Sequence, residues 1–223
     1  MGKQFTLTAS DAFKLGAYRA DPTGTPKGGM VVIQEIFGVN QHIRAVCDAV
    51  AKEGYVAVAP ALFDRTAPNF ECGYTPDEIA EARKYIANPD WDAMLRDTDA
   101  AIQEIKGVGP VGIMGFCLGG TMSFLAATRL AGLKAAVCYY GGGIVRFADE
   151  TPKCPTQMHF GEHDHSIPMS DVEIIKQKRP DCEIYVYNDA GHGFHCDERA
   201  SFHEESASVA WQRTMAFLEK NMK

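Results

Sequence analysis

Short apolar runs alternate along this chain with longer segments in which apolar residues recur every three or four positions. Residues 29–35, 55–60, 110–115, 135–140, 156–161 and 183–188 are rich in β-branched and aromatic side chains and have the length of strands. Residues 5–8 and 13–17 can pair as an antiparallel ribbon at an edge. Between the strands, Ile43, Cys47 and Val50 share one helical stripe, and Trp91, Leu95, Thr98, Ile102 and Ile105 share another. Asn40 suits the start of the first helix, while Gly54 and Gly107 can supply the left-handed turn that ends each one. Trp211, Met215, Leu218 and Met222 form the stripe of a last helix. The alternation predicts an α/β fold, a mostly parallel sheet with helices on both faces, in one domain over residues 1–223. Residues 65–76 are the longest irregular piece, and long loops in compact domains tend to carry function.

Composition narrows the class without naming a chemistry. The chain is 46% hydrophobic and 23% charged, ordinary for a globular protein, and its net charge of -7 argues against a nucleic-acid partner, which needs clustered Lys and Arg. The first residues lack the apolar core of a signal peptide, and no run approaches a membrane span, so the expectation is a cytoplasmic protein without a membrane partner. Seven cysteines without CxxC pairs read as reduced thiols, with Cys47 and Cys138 simplest as core residues.

Gly115-Phe116-Cys117-Leu118-Gly119-Gly120 changes the picture. It joins a predicted strand to an apolar helix and has the form of a nucleophile elbow with cysteine where serine is usual. Glycines two residues before and after the nucleophile let strand and helix approach closely. The helix N-terminus then faces the sulfur, favouring thiolate, and the Leu118 amide points at a developing oxyanion.

A nucleophilic thiol needs a base, and this type of fold supplies its acid and histidine later in the chain, in that order. Asp164 follows the strand that ends at Gly161, and His192 follows the strand that ends at Asn188. Glu162 and Asp189 are rival acids with poorer spacing from the strand ends. An alternative takes His163, His165, His192 and His195 with Asp164 as metal ligands. That reading leaves the elbow unexplained.

Several motifs together resemble the dienelactone hydrolase, or carboxymethylenebutenolidase, family nearly end to end: Gln34-Glu35-Ile36-Phe37-Gly38, the elbow, Tyr139-Tyr140-Gly141, and Asp189-Ala190-Gly191-His192-Gly193-Phe194. The resemblance implies an α/β-hydrolase fold and a Cys117, His192 and Asp164 triad. It also implies that the Glu35 carboxylate contacts the thiol, and that the Ile36 and Leu118 amides form the oxyanion hole. Read without it, Glu35 is a strand-end carboxylate that is either solvated or capping the next helix. The chain departs from the family where a basic residue is expected shortly after the histidine, since the sequence there is Phe194-His195-Cys196. Arg199 is the nearest arginine, and Arg83, Lys84 and Arg96 are further candidates to hold a substrate carboxylate.

The expected activity is opening of a small lactone or ester through a thioester on Cys117, with no metal or organic cofactor. A general carboxylesterase or thioesterase on the same residues is the rival enzyme. A ligand-binding protein that has lost the chemistry is the rival outside catalysis.

Overall fold

The computed structural model describes residues 2–223. Eight strands form one sheet: β1 (Lys3–Thr8), β2 (Lys14–Ala20), β3 (Gly28–Ile33), β4 (Tyr55–Pro60), β5 (Val111–Phe116), β6 (Leu133–Tyr139), β7 (Thr156–Gly161) and β8 (Glu183–Tyr187). They run in the order β1-β2-β4-β3-β5-β6-β7-β8. The β1–β2 and β2–β4 pairs are antiparallel, and every other pair is parallel. Seven helices connect them: α1 (Gln41–Lys52), α2 (Pro76–Lys84), α3 (Trp91–Ile105), α4 (Leu118–Arg129), α5 (Ile144–Phe147), α6 (Met169–Lys178) and α7 (Glu204–Asn221).

The two-residue period of a strand sends alternate side chains to opposite faces, and here both faces are covered. Met30 and Val32 of β3 pack in one core with α1, α6 and α7, whereas Val31 and Ile33 pack in the other with α3 and α4. This explains why the central strands read as continuous apolar runs. β3 lies between β4 and β5, so the connections leaving β3 and β5 diverge at their carboxyl ends, the switch point where open α/β sheets hold ligands.

Asn40 caps α1 as expected, its Oδ1 accepting from the Ile43 amide at 3.3 Å, and Gly54 takes the left-handed turn beyond it, with φ +97°. Gly107 does not end α3 in that way. The helix tightens into a 3-10 turn, Lys106–Val108, and the positive φ falls two residues later at Gly109, +140°, where the chain enters β5 against Gly28. Residues 65–76 do not line the site. They buttress it from behind: the Cys72 amide donates to the Phe37 carbonyl at 3.1 Å, and the Tyr74 and Phe37 rings meet edge to face at 4.7 Å. All seven cysteines are free, and no helix among the described residues is long and apolar enough to cross a membrane.

Candidate active site

Three loops, at the carboxyl ends of β3, β7 and β8, build the site around the β5–α4 turn. Cys117 carries φ +57° and ψ −113°, a conformation a residue with a Cβ adopts only under constraint. The constraint is visible on both sides. A Cβ on Gly115 would come within 2.1 Å of the Gly119 carbonyl, and one on Gly119 within 2.4 Å of the Ile33 carbonyl, so both positions must be glycine for α4 to seat on the sheet. The turn is tied down by the Cys117 amide, which donates to the Tyr139 carbonyl at 3.0 Å. Its side chain is half-buried at the first turn of α4, whose partial positive charge favours a thiolate there.

Asp164 is buried on the loop after β7. Its Oδ1 accepts from the amides of Ser166 at 2.8 Å and Ile167 at 3.1 Å, which leaves Oδ2 to accept from His192 Nδ1 at 2.7 Å. That bond fixes the tautomer so that Nε2 is the nitrogen available for chemistry. Burial alone would depress the His192 imidazole, but the Cys117 sulfur and the Asp164 carboxylate outweigh it, and the pKa is pushed up to about 10. Glu162 and Asp189, the rival acids, are both exposed and pair with no histidine. The four histidines of the metal reading do not converge. His163 and His165 are exposed, His192 is taken by Asp164, and His195 packs at tilted and edge-on angles among Phe116, Tyr139 and Trp211.

The loop after β3 is pinned by Gln34, whose buried Oε1 accepts from the Leu62 amide at 3.1 Å. Ile36 and Leu118 both line the cleft, and neither amide donates to a protein acceptor among the described residues. Glu35 is neither solvated nor a helix cap. It is 1% exposed, and its Oε1 accepts from Arg199 Nη1 at 3.0 Å, while Oε2 has no partner. The hydrogen-bonding partner of Glu35 is thus Arg199 and not the thiol.

The cleft over Cys117 and His192 has a volume of about 480 Å³. Phe37, Ile79, Ile86 and Trp91 give it apolar walls, and Arg83, Arg146 and Arg199 bring guanidinium groups to it. Arg96 is a correction to the sequence reading. It sits on the face of α3 turned to the β1–β2 ribbon, where its Nε donates to Asp11 at 3.1 Å, away from the cleft. Lys84 is likewise engaged by Glu81 on its own helix. Arg146 escaped the sequence reading because α5 is one turn long, too short to show a periodic stripe.

Three comparisons bear on this arrangement. The model of the dienelactone hydrolase family matches residues 15–222. A Synechocystis sp. protein provisionally named carboxymethylenebutenolidase is 41% identical over 94% of this chain and 93% of its own length. The carboxymethylenebutenolidase of Pseudomonas putida is 31% identical over 96% of this chain and 94% of its own. In three dimensions, the crystal structure of a Klebsiella pneumoniae protein provisionally named dienelactone hydrolase superposes with a TM-score of 0.86 at 32% identity, covering 99% of both chains. The α/β-hydrolase fold, the full-length match and the elbow agree, and the chain belongs to the dienelactone hydrolase family, a hydrolase of carboxylic ester bonds.

Proposed function

We propose that the protein opens a small, carboxylate-bearing lactone or ester through a thioester on Cys117. The observation that carries this is the strained Cys117 turn facing an imidazole whose other nitrogen is locked onto buried Asp164. The Cys117 sulfur attacks the carbonyl carbon, and the developing oxyanion is met by the free amides of Ile36 and Leu118. As the C–O bond breaks, His192 gives its proton to the leaving alkoxide. It then takes a proton from the water that attacks the thioester, releasing the carboxylic acid and the thiol. Asp164 holds the ring in place throughout and balances its charge.

Arg83, Arg146 and Arg199 favour an anionic substrate over a neutral one. A substrate carboxylate bound by Arg199 competes with Glu35 for the same guanidinium, so binding and release of Glu35 are linked. The freed Glu35 carboxylate is then available to act on the thiol. The test is a carboxylate-bearing ester against its methyl ester. Arg146→Ala is expected to raise KM for the anion about tenfold, equivalent to about 1.4 kcal/mol, and to leave the neutral ester unaffected. Equal or better turnover of the neutral ester at both low and high salt would favour the general esterase.

The raised His192 pKa sets a pH dependence whose sign is fixed. A histidine whose folded pKa lies above its unfolded value keeps its proton, and the stability it brings, below pH 6.5 and loses both as the pH rises through about 10. The acid that protonates the leaving group is therefore present at neutral pH. The alkaline limb of kcat/KM, which reports the free enzyme, is expected near pH 10, measured with an alkyl ester. A limb centred near 6.5 would mean that His192 is not held in this way.

A further inference from the structure

Beneath the cleft lies a group of side chains that the hydrolytic reading does not use as a set. Glu35, His42 and Cys196 each place one potential ligand atom within 4.8 Å of the other two, and all three residues are buried. Two of their polar atoms are orphans: Glu35 Oε2 and His42 Nε2 are enclosed and have no hydrogen-bond partner. A buried polar atom without a partner costs about 1–3 kcal/mol, so two at one place point to something that would satisfy them. The three residues come from the β3 loop, from α1 and from the loop after β8, so no sequence motif joins them.

We propose that Glu35, His42 and Cys196 form a buried site for a divalent transition-metal cation of the zinc type.

The donor set is one carboxylate oxygen, one imidazole nitrogen and one sulfur, the mixture that suits zinc and does not suit the all-oxygen preference of magnesium or calcium. Ligand atoms around tetrahedral zinc lie roughly 3.3–3.8 Å apart, given bonds of about 2.0–2.3 Å. A spread of at most 4.8 Å therefore needs only a small closure. The surroundings supply the outer partners such a site uses. His42 Nδ1 lies 3.8 Å from Asp197 Oδ1, the carboxylate behind a metal-bound imidazole. The second oxygen of Glu35 is held by Arg199. Cys196 Sγ is 3.3 Å from the Tyr74 hydroxyl, which in turn accepts from Asn40 Nδ2 at 3.0 Å. The Asp197 side chain is 75% exposed, so its charge stands on the solvent side of the group, where a cation would arrive.

Binding is an exchange of one cation for one proton. Without metal the Cys196 thiol donates its proton to the Tyr74 hydroxyl at 3.3 Å. The cation takes the sulfur lone pair, the S–H bond breaks, and the proton leaves to solvent. Tyr74, which accepts from the thiol, can turn its own proton towards the thiolate. Glu35 and the thiolate then offset the two charges of the cation. A bound metal would hold the Glu35 carboxylate that an incoming substrate is proposed to release.

The experiment reads metal binding and not turnover, so its failure would leave the hydrolytic reading standing. Chelator-treated protein is titrated with Co2+, in wild type and in a Cys117→Ser background that removes the other candidate thiol. The expected result in both is one equivalent of four-coordinate Co2+, with intense visible bands and a thiolate-to-cobalt charge-transfer band, displaced by one equivalent of Zn2+. Cys196→Ser should abolish the charge-transfer band, and Cys196→Ser and His42→Gln should each weaken Zn2+ binding by about 100-fold or more, since even outer partners of a metal ligand cost about 10–100-fold. Circular dichroism of each variant without metal checks that it folds, and His42→Gln keeps the test open should Cys196→Ser not fold. Absence of the band in wild type would overturn the site. So would its survival in Cys196→Ser, or its loss in Cys117→Ser alone.

Discussion

Cys117→Ala is expected to lose hydrolysis by about a thousandfold or more while remaining folded, because the variant removes the proposed nucleophile, the sulfur that pairs with His192. The two effects separate because of where the sulfur sits. It is a half-buried atom at a turn, packed against the edge of both cores and enclosed by neither, so its loss opens towards the cleft and leaves no enclosed cavity. The strained φ of +57° is unchanged by alanine, which also bears a Cβ, so stability should move by less than about 1 kcal/mol. The measurement is kcat/KM on an aryl ester beside urea unfolding of the same preparation. A variant that keeps more than a few per cent of wild-type turnover would remove Cys117 from the chemistry. One that unfolds would assign it a structural role instead.

Arg199→Leu is expected to destabilise the protein by about 3–5 kcal/mol, the cost of stranding one charge of a buried ion pair. Glu35 is 1% exposed, Arg199 provides the one hydrogen bond to its carboxylate among the described residues, and the guanidinium lies 5.5 Å and 5.8 Å from the ring centres of Phe37 and Tyr74. With Arg199 gone, Glu35 faces burial without a counter-charge. The double variant Glu35→Gln/Arg199→Leu should recover most of the loss, because no charge is then left stranded. Denaturant unfolding of the four proteins of this cycle gives the coupling directly. A single-variant loss under about 1 kcal/mol would show that Glu35 finds another partner, and the linkage between substrate binding and Glu35 release would lose its basis.

The parts legible in the sequence are those where local chemistry dictates structure. The elbow reads from Gly115 and Gly119 because a backbone contact there admits no Cβ. Asn40 reads as a cap because its side chain bonds an amide three residues away. The proposed order nucleophile, acid, histidine reads from topology, since Cys117, Asp164 and His192 follow the ends of β5, β7 and β8 in turn. What escaped depends on contacts distant along the chain or on helices with little apolar face. α2 buries only Ala82 and so shows no stripe, although its capping box, Thr75 with Glu78, was a usable signal. Arg96 reads as a cleft residue because nothing local announces that Asp11, in the turn after β1, claims it. Cys196 reads as one more buried thiol, and only the fold brings it to Glu35 and His42.

The central claim, covalent catalysis by Cys117, is tested most directly by catching the intermediate. Wild-type protein is mixed with excess aryl ester, quenched in acid within the first turnover and weighed by intact-mass spectrometry, with peptide mapping to place the adduct. The mechanism predicts one acyl group per chain, on the peptide that carries Cys117, sensitive to hydroxylamine as a thioester is, and longer-lived in His192→Gln, where the base that activates the attacking water is gone. An unmodified chain throughout turnover in both proteins, or an acyl group on any residue other than Cys117, would contradict it.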